Sequence, residues 1–277
     1  MAAPRTSLIT GVTHGIGLWT ALGLAERGGT VAIVARDPAR GETSRRWLAE
    51  RAPEAAIDLL VADLASMAAV RGLAAEVLAR YPRLDLLVNN AGLARDRRQP
   101  TADGFETMFA VNCLAPFVLT RALLDRMKAS APARIVNVGS ASSDRARIDL
   151  GNLQAEKSFS MMGKYGQSKL AMMLWTFELA RRLDGTGVTA NIVHPGVVAT
   201  NIGNVGGWKS LAFSALKPFL LSEEQGAETT LHVALAPELA TVTGRYFKKK
   251  AEAKTNPVAQ DRALAAKLWD ELERLAP

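Results

Sequence analysis

Tyr165 and Lys169 lie four positions apart in the helix-period stretch KYGQSKLAMMLWTFELARRL, so both fall on one helical face. A free phenol titrates at about 10, too high for proton exchange near neutrality, and a neighbouring ammonium favours the phenolate. The pair is therefore suited to moving a proton. A second cluster, LITGVTHGIG from Leu8 to Gly17, places three glycines and a histidine directly after the first apolar run. At a strand-to-helix junction the first N–H groups of the helix are unpaired and the dipole end is positive. A pyrophosphate docks there if glycines let the backbone approach it. On this reading Gly11, Thr13, His14, Gly15, Ile16 and Gly17 form an anion cradle.

The elements that position these groups follow from hydrophobic periodicity. Apolar runs at 7–10, 30–35, 57–62, 84–89, 133–139, 188–194 and 244–247 alternate with helix-period stretches, the pattern of βαβ units in a sheet covered on both faces. The spacing predicts one α/β domain over 1–277: a doubly wound, Rossmann-type fold with a seven-stranded parallel sheet and helices on both faces. Asp37 before Pro38 reads as a helix cap followed by proline at the first helical position. Residues 102–129 give one long helical pattern despite Pro116. Residues 201–221, with three glycines and then Trp208, Leu211, Phe213, Leu216 and Phe219, read as an apolar flap.

The glycine spacing, T-G-x-x-x-G-x-G, resembles the cofactor signature of the short-chain dehydrogenase/reductase family. The resemblance runs along nearly the whole chain: Asp63-Leu64 after strand three, Asn89-Asn90-Ala91-Gly92 after strand four, Ser140 after strand five, and Tyr165-Gly-Gln-Ser-Lys169. It implies an oxidoreductase in which Asp63, Leu64, Asn90, Ala91 and Gly92, together with Pro195, Gly196, Val198 and Thr200 after strand six, bind a dinucleotide. It assigns Tyr165 as general acid in carbonyl reduction and general base in alcohol oxidation, and gives Lys169 both the phenolate and a ribose. Ser140 would donate to the carbonyl oxygen, with Ser142 and Ser143 as rivals, and Asn112 would support a water chain from Lys169. Gly139 departs from the pattern, since serine is frequent there.

Cofactor choice rests on the end of strand two, Val34-Ala35-Arg36-Asp37. A carboxylate there serves a ribose 2′-hydroxyl, whereas an arginine accommodates a 2′-phosphate. The resemblance puts Ala35 where NAD users carry the acid and Arg36 where NADP users carry a base, which implies NADP(H). Asp37 is the competing ribose ligand, His14 a minor voter, and Arg40 a candidate second cation.

Between Ser140 and Tyr165 lie 24 residues, about twice the spacing common in the family. This segment and the C-terminal TGRYFKKK resemble the retinol-dehydrogenase-like branch, which includes ketoreductases of polycyclic natural products. The implied substrate is a bulky hydrophobic ketone, aldehyde or alcohol contacted by Ser140, Ser142, Tyr165 and Trp208. The flap has two readings, a substrate cover or a homo-oligomer interface. The rival to an enzyme is a catalytically silent NADP-binding regulatory or scaffold protein.

Composition narrows the remaining classes. A net charge of +7 could attract nucleic acid. The one lysine run, Lys248 to Lys250, however, lacks interleaved aromatics and reads as a solvated face. Cys113 is the sole cysteine, which excludes an intrachain disulfide and a thiolate metal site. His194 and His232 lack metal-ligand companions and read as structural, so no metal is expected. About five residues precede the first strand, too few for a signal peptide or membrane anchor, and no apolar run approaches the roughly 18 residues of a spanning helix. The expectation is a soluble cytoplasmic protein.

Overall fold

The computed structural model describes residues 6–196 and 221–276. Its elements are β1 (Thr6–Thr10), α1 (Gly15–Ala25), β2 (Thr30–Ala35), α2 (Pro38–Arg51), β3 (Ala56–Val61), α3 (Met67–Arg80), β4 (Leu86–Asn89), α4 (Thr107–Ala129) and β5 (Ala133–Val138). There follow α5 (Met161–Arg182), β6 (Val188–His194), α6 (Glu223–Leu235), β7 (Tyr246–Lys248), β8 (Ala251–Glu252) and α7 (Arg262–Leu275). The strands form one sheet in the order β3-β2-β1-β4-β5-β6-β7-β8, parallel from β1 to β7.

The eighth strand corrects the seven-stranded expectation. β8 pairs antiparallel with β7 through Phe247 opposite Glu252 and Lys248 opposite Ala251. The turn between them is made by Lys249 and Lys250, both left-handed at φ 49° and 63°. A two-residue hairpin turn with positive φ at both central positions is the type I′ form, which usually takes Asn or Gly there. Here Lys250 is held by tertiary contacts, its N–H to Thr229 and its ammonium to Glu228 at 2.7 Å. A lysine run carries no local sign of such a turn.

Side chains alternate across the sheet into two cores. Leu8, Ala32, Val34, Leu87 and Ile135 face α3, α4, α5 and α7, while Ile9, Val31, Ile33, Val88 and Val136 face α1, α2 and α6. The first core is anchored by Trp175, fully buried on α5, which meets Phe117 edge-on at 5.8 Å; Phe117 in turn meets Trp269 at 4.9 Å.

Helix α4 carries two further corrections. Its start lies at Thr107 rather than 102, because Glu106 caps it by accepting from the Met108 and Phe109 N–H groups. It also contains an apolar window with mean hydropathy 1.6, long enough to cross a membrane, contrary to the sequence reading. That window is 78% buried inside the fold, against the first core. Within α4, residues Ala110–Leu114 widen to a π turn, with the Ala115 N–H bonded to the Ala110 carbonyl. Pro116, having no N–H, leaves the Asn112 carbonyl without its usual partner, which accounts for the change of register there.

Candidate functional site

At the carboxyl ends of β1 and β4 the backbone is packed tightly against itself. Gly11, at φ +75°, has no room for a side chain: a Cβ there would lie 2.7 Å from the Ala91 Cα. A Cβ on Gly17 would collide with the Gly11 carbonyl and the Asn90 amide. The close approach that these two glycines permit is thus by the protein's own β4 loop. Asn90 stitches it, donating to the Thr10 and Gly11 carbonyls at 2.8 and 2.9 Å, and the Thr10 hydroxyl accepts from the Asn90 and Ala91 N–H groups at 3.1 and 3.0 Å. Thr10 is a site residue that the sequence reading left out, although it stands in the T-G pair that opens the motif.

Gly15, at φ +69°, opens α1. The residue before it, His14, is an N-cap that makes no side-chain capping bond. By contrast α2, α3, α5, α6 and α7 are all capped by side chains, from Asp37, Ser66, Ser160, Ser222 and Asp261. The first N–H groups of α1 are therefore left for an anion. Exposed cations stand beside them: Arg40 reaches the His14 Nδ1 at 3.5 Å, Thr13 meets the same nitrogen at 3.1 Å, and Arg36 makes no ion pair among the described residues. Asp37 spends its carboxylate on the Arg40 N–H at 2.9 Å, the helix-cap role rather than the ribose-ligand role.

Asp63 accepts from the Ala65 N–H at 2.9 Å, and Leu64 lines a narrow crevice with Thr10, Asn89, Ala91 and Val111. Pro195 and Gly196 follow β6, Gly196 at φ +93°. Val198, Thr200, Trp208 and residues 201–220 of the flap lie outside the described residues.

On the other half of the sheet edge the groups are side chains, Ser140 and Tyr165 half-buried and Lys169 and Asn112 buried. The Ser140 hydroxyl stands beside the Tyr165 phenol. Burial raises that phenol above its ordinary range, and the neighbouring Ser140 hydroxyl opposes the rise. Lys169 is 3% exposed and donates to the Val138 carbonyl at 2.8 Å. Desolvation pushes its ammonium down to about 8. Its hydrogen bond thus goes to main chain two residues before Ser140.

The π turn aims Asn112 inward. Its amide accepts from the Leu93 N–H at 2.8 Å and donates to the Leu93 carbonyl at 2.9 Å and to Ser168 at 3.1 Å. Gly92 sits between, where a Cβ would lie 3.2 Å from the Lys169 Nζ. Gly139 is explained likewise, since a Cβ would lie 3.0 Å from Ile192. The Ser142 hydroxyl is buried without a hydrogen-bond partner among the described residues, whereas Ser143 donates to the Ser140 carbonyl at 2.6 Å. The described residues contain no cluster of His, Cys, Asp or Glu able to hold a metal ion.

An anion cradle and two neighbouring hydroxyls with a buried lysine thus share one sheet edge, an arrangement that can hold a dinucleotide and protonate or deprotonate an oxygen. The short chain dehydrogenase family model matches residues 5–206. The chain belongs to the short-chain dehydrogenase/reductase family. It falls in the retinol-dehydrogenase-like branch: human retinol dehydrogenase 13 is 40% identical over 281 residues, covering 98% of this chain and 84% of that protein. Among solved structures, an uncharacterized protein from Mycobacterium paratuberculosis matches with a TM-score of 0.81 at 30% identity, over 98% of this chain and 93% of that one. A short-chain dehydrogenase from Burkholderia cenocepacia, solved with NADP, matches with a TM-score of 0.71 at 30% identity, over 88% and 95% of the two chains. The oxidoreductase class and the Rossmann-type fold follow from this membership.

Proposed function

We propose that this chain is an NADP-dependent oxidoreductase transferring a hydride between nicotinamide and a bulky hydrophobic ketone, aldehyde or alcohol, working as a carbonyl reductase. The observation that carries the reading is the Ser140–Tyr165 hydroxyl pair, with Lys169 buried beneath Val138 at the same sheet edge. The residues fit a dinucleotide phosphate: among the described α-helices α1 is the one without a side-chain cap, and among the described residues the cations at 36 and 40 face no carboxylate other than a helix cap. NADP(H), when bound, supplies or accepts the hydride.

The chain's own residues do the rest. The α1 N–H groups hold the pyrophosphate, and Arg36 supports a 2′-phosphate with Arg40 as second cation. Ser140 donates to the substrate oxygen and stabilises charge that develops on it. Tyr165, a phenol protonated at neutral pH, delivers the proton in reduction. Lys169 orients the ribose, and Asn112 holds the Leu93 segment by two hydrogen bonds. The apolar substrate class is supported by the retinol dehydrogenase relatives, whose name gives their own substrate. The setting is cytoplasmic in this reading, checked by partition between cytosol and membrane fractions.

The test is NADPH oxidation with a panel of polycyclic quinones, steroids, retinal and small diketones, with NADPH and NADH affinities measured alongside. Tighter binding of NADPH, lost by about 1.5–3 kcal/mol in Arg36→Ala, is expected. Equal affinity for the two cofactors would reject the NADP assignment. Binding of NADPH without reduction of any carbonyl would favour the regulatory or scaffold protein.

A further inference from the structure

His194, the last residue of β6, is half-buried, and its Nδ1 accepts the Ala141 main-chain N–H at 3.2 Å. Ala141 follows Ser140 and begins the 3₁₀ turn Ala141–Arg145, of which Ser140 is the cap. The turn satisfies its next two N–H groups internally: Ser142 donates to the Ser140 Oγ at 3.2 Å and Ser143 to the Ser140 carbonyl at 3.1 Å. The Ala141 N–H is the one at the turn's start that no group inside the turn can reach, and His194 takes it.

The far end of the turn is held separately. Asp144 accepts from the Tyr246 hydroxyl at 3.1 Å and from the Lys248 ammonium at 2.5 Å, and the Asn256 amide donates to the Ser143 and Ala146 carbonyls at 2.9 Å each. With that end tied to β7 and to the segment before α7, the Ala141–His194 bond sets the direction in which Ser140 leaves β5.

We propose that neutral His194 is a positioning residue for Ser140, its Nδ1 fixing the Ala141 N–H and thereby aiming the Ser140 hydroxyl at Tyr165. The proposal rests on the reading of Ser140 as the donor to the substrate oxygen. An imidazole accepts at Nδ1 only when neutral, with its proton on Nε2. Once protonated, Nδ1–H opposes the Ala141 N–H and the bond is lost. The charged groups facing the ring are Lys248 on β7, which disfavours protonation, and Asp144 on the turn, which favours it; burial weighs most, and the ring titrates below the ordinary histidine value. The aim of Ser140 is thus kept through neutral pH and released in acid.

Two measurements test this. In 15N-labelled protein, the His194 ring at pH 7.5, a value chosen about one unit above ordinary histidine titration, is expected to carry its proton on Nε2. A proton on Nδ1 overturns the proposal, whatever the protein reduces. In reduction of 9,10-phenanthrenequinone by NADPH, His194→Leu is expected to lower kcat about 10- to 100-fold with unchanged NADPH affinity. His194→Asn, whose amide oxygen takes the place of Nδ1, is expected to restore kcat to within about 3-fold and to abolish the loss of kcat in acid, below the ordinary histidine range of about 6.5. Equal kcat in the Leu and Asn variants, or an acid loss that survives in His194→Asn, overturns it. Absence of quinone reduction by the unmodified protein counts against the proposed function alone, and the ring measurement then decides the role of His194.

Discussion

The two halves of the sheet's carboxyl edge are built from opposite materials. Around β1, β2 and β4 the working surface is main chain: glycines without room for a Cβ, an uncapped helix start, and an asparagine and a threonine that hold loops together. Around β5, α4 and α5 it is side chain: two neighbouring hydroxyls, and a buried ammonium and a buried amide fixed by named hydrogen bonds. A main-chain surface is disturbed by adding atoms, and a side-chain surface by removing one. The first half should therefore answer to substitution through stability and affinity, and the second through rate.

The largest expected effect lies in the side-chain half. Tyr165→Phe removes one oxygen and leaves the ring in place, so carbonyl reduction should fall by roughly 10²–10⁴ while NADPH affinity and fold remain. Single-turnover kinetics beside a binding isotherm make the check; an unmodified rate would break the contrast between the halves. In the main-chain half Gly11→Ala adds one carbon, in a left-handed conformation and against the Ala91 Cα. A loss of about 2–4 kcal/mol in unfolding free energy is expected by denaturant titration.

Lys169 sharpens the comparison because its rate role conflicts with its stability. Its folded pKa, about 8, lies below the unfolded value of 10.5, so the charged form is disfavoured by folding. Below pH 8 both states hold the proton and the full cost of the buried charge is present. Between the two pKa values the unfolded state binds more protons, and stability rises with pH. Lys169→Met should accordingly be more stable than the unmodified protein at pH 7, by about 1–3 kcal/mol, yet turn over far more slowly. The stability difference should shrink steadily between pH 8 and 10.5 in parallel urea titrations.

The smallest effects compare α1 with α2 directly. Asp37→Ala removes the cap of α2 and should cost about 1 kcal/mol in stability with NADPH affinity unchanged. His14→Asp gives α1 the kind of cap that α2 already has, so it should raise the thermal midpoint of the ligand-free protein and weaken NADPH binding about 10-fold or more. A variant that gained stability without losing affinity would show that the open start of α1 is not an anion seat.

Most strands were legible in the sequence because a parallel sheet buried on both faces leaves continuous apolar runs: β2 and β6 match their runs at both ends. The Asp37-Pro38 signal was equally local, and α2 starts where it says. β8 escaped for the converse reason, since its turn is stabilised by Thr229 and Glu228, which are remote in sequence from Lys250. The membrane-length window in α4 shows the same limit: composition gives its hydropathy, and only packing decides what covers it.

For the site, the sequence by itself determined which residue types stand at the ends of the strands, because motif spacing follows chain geometry over a few turns or a single loop. The set of Gly11, Asn90, Ser140, Tyr165 and Lys169 was readable in this way. Tertiary structure alone decided what those residues touch. It turned Asn90 back onto Gly11, sent the Lys169 ammonium to Val138, and brought His194 to the amide beside Ser140, across 53 positions of chain. Hydrogen bonds have a reach of about 3 Å and no memory of sequence distance. Their partners are chosen by which strands lie side by side, and here β5 lies against β6.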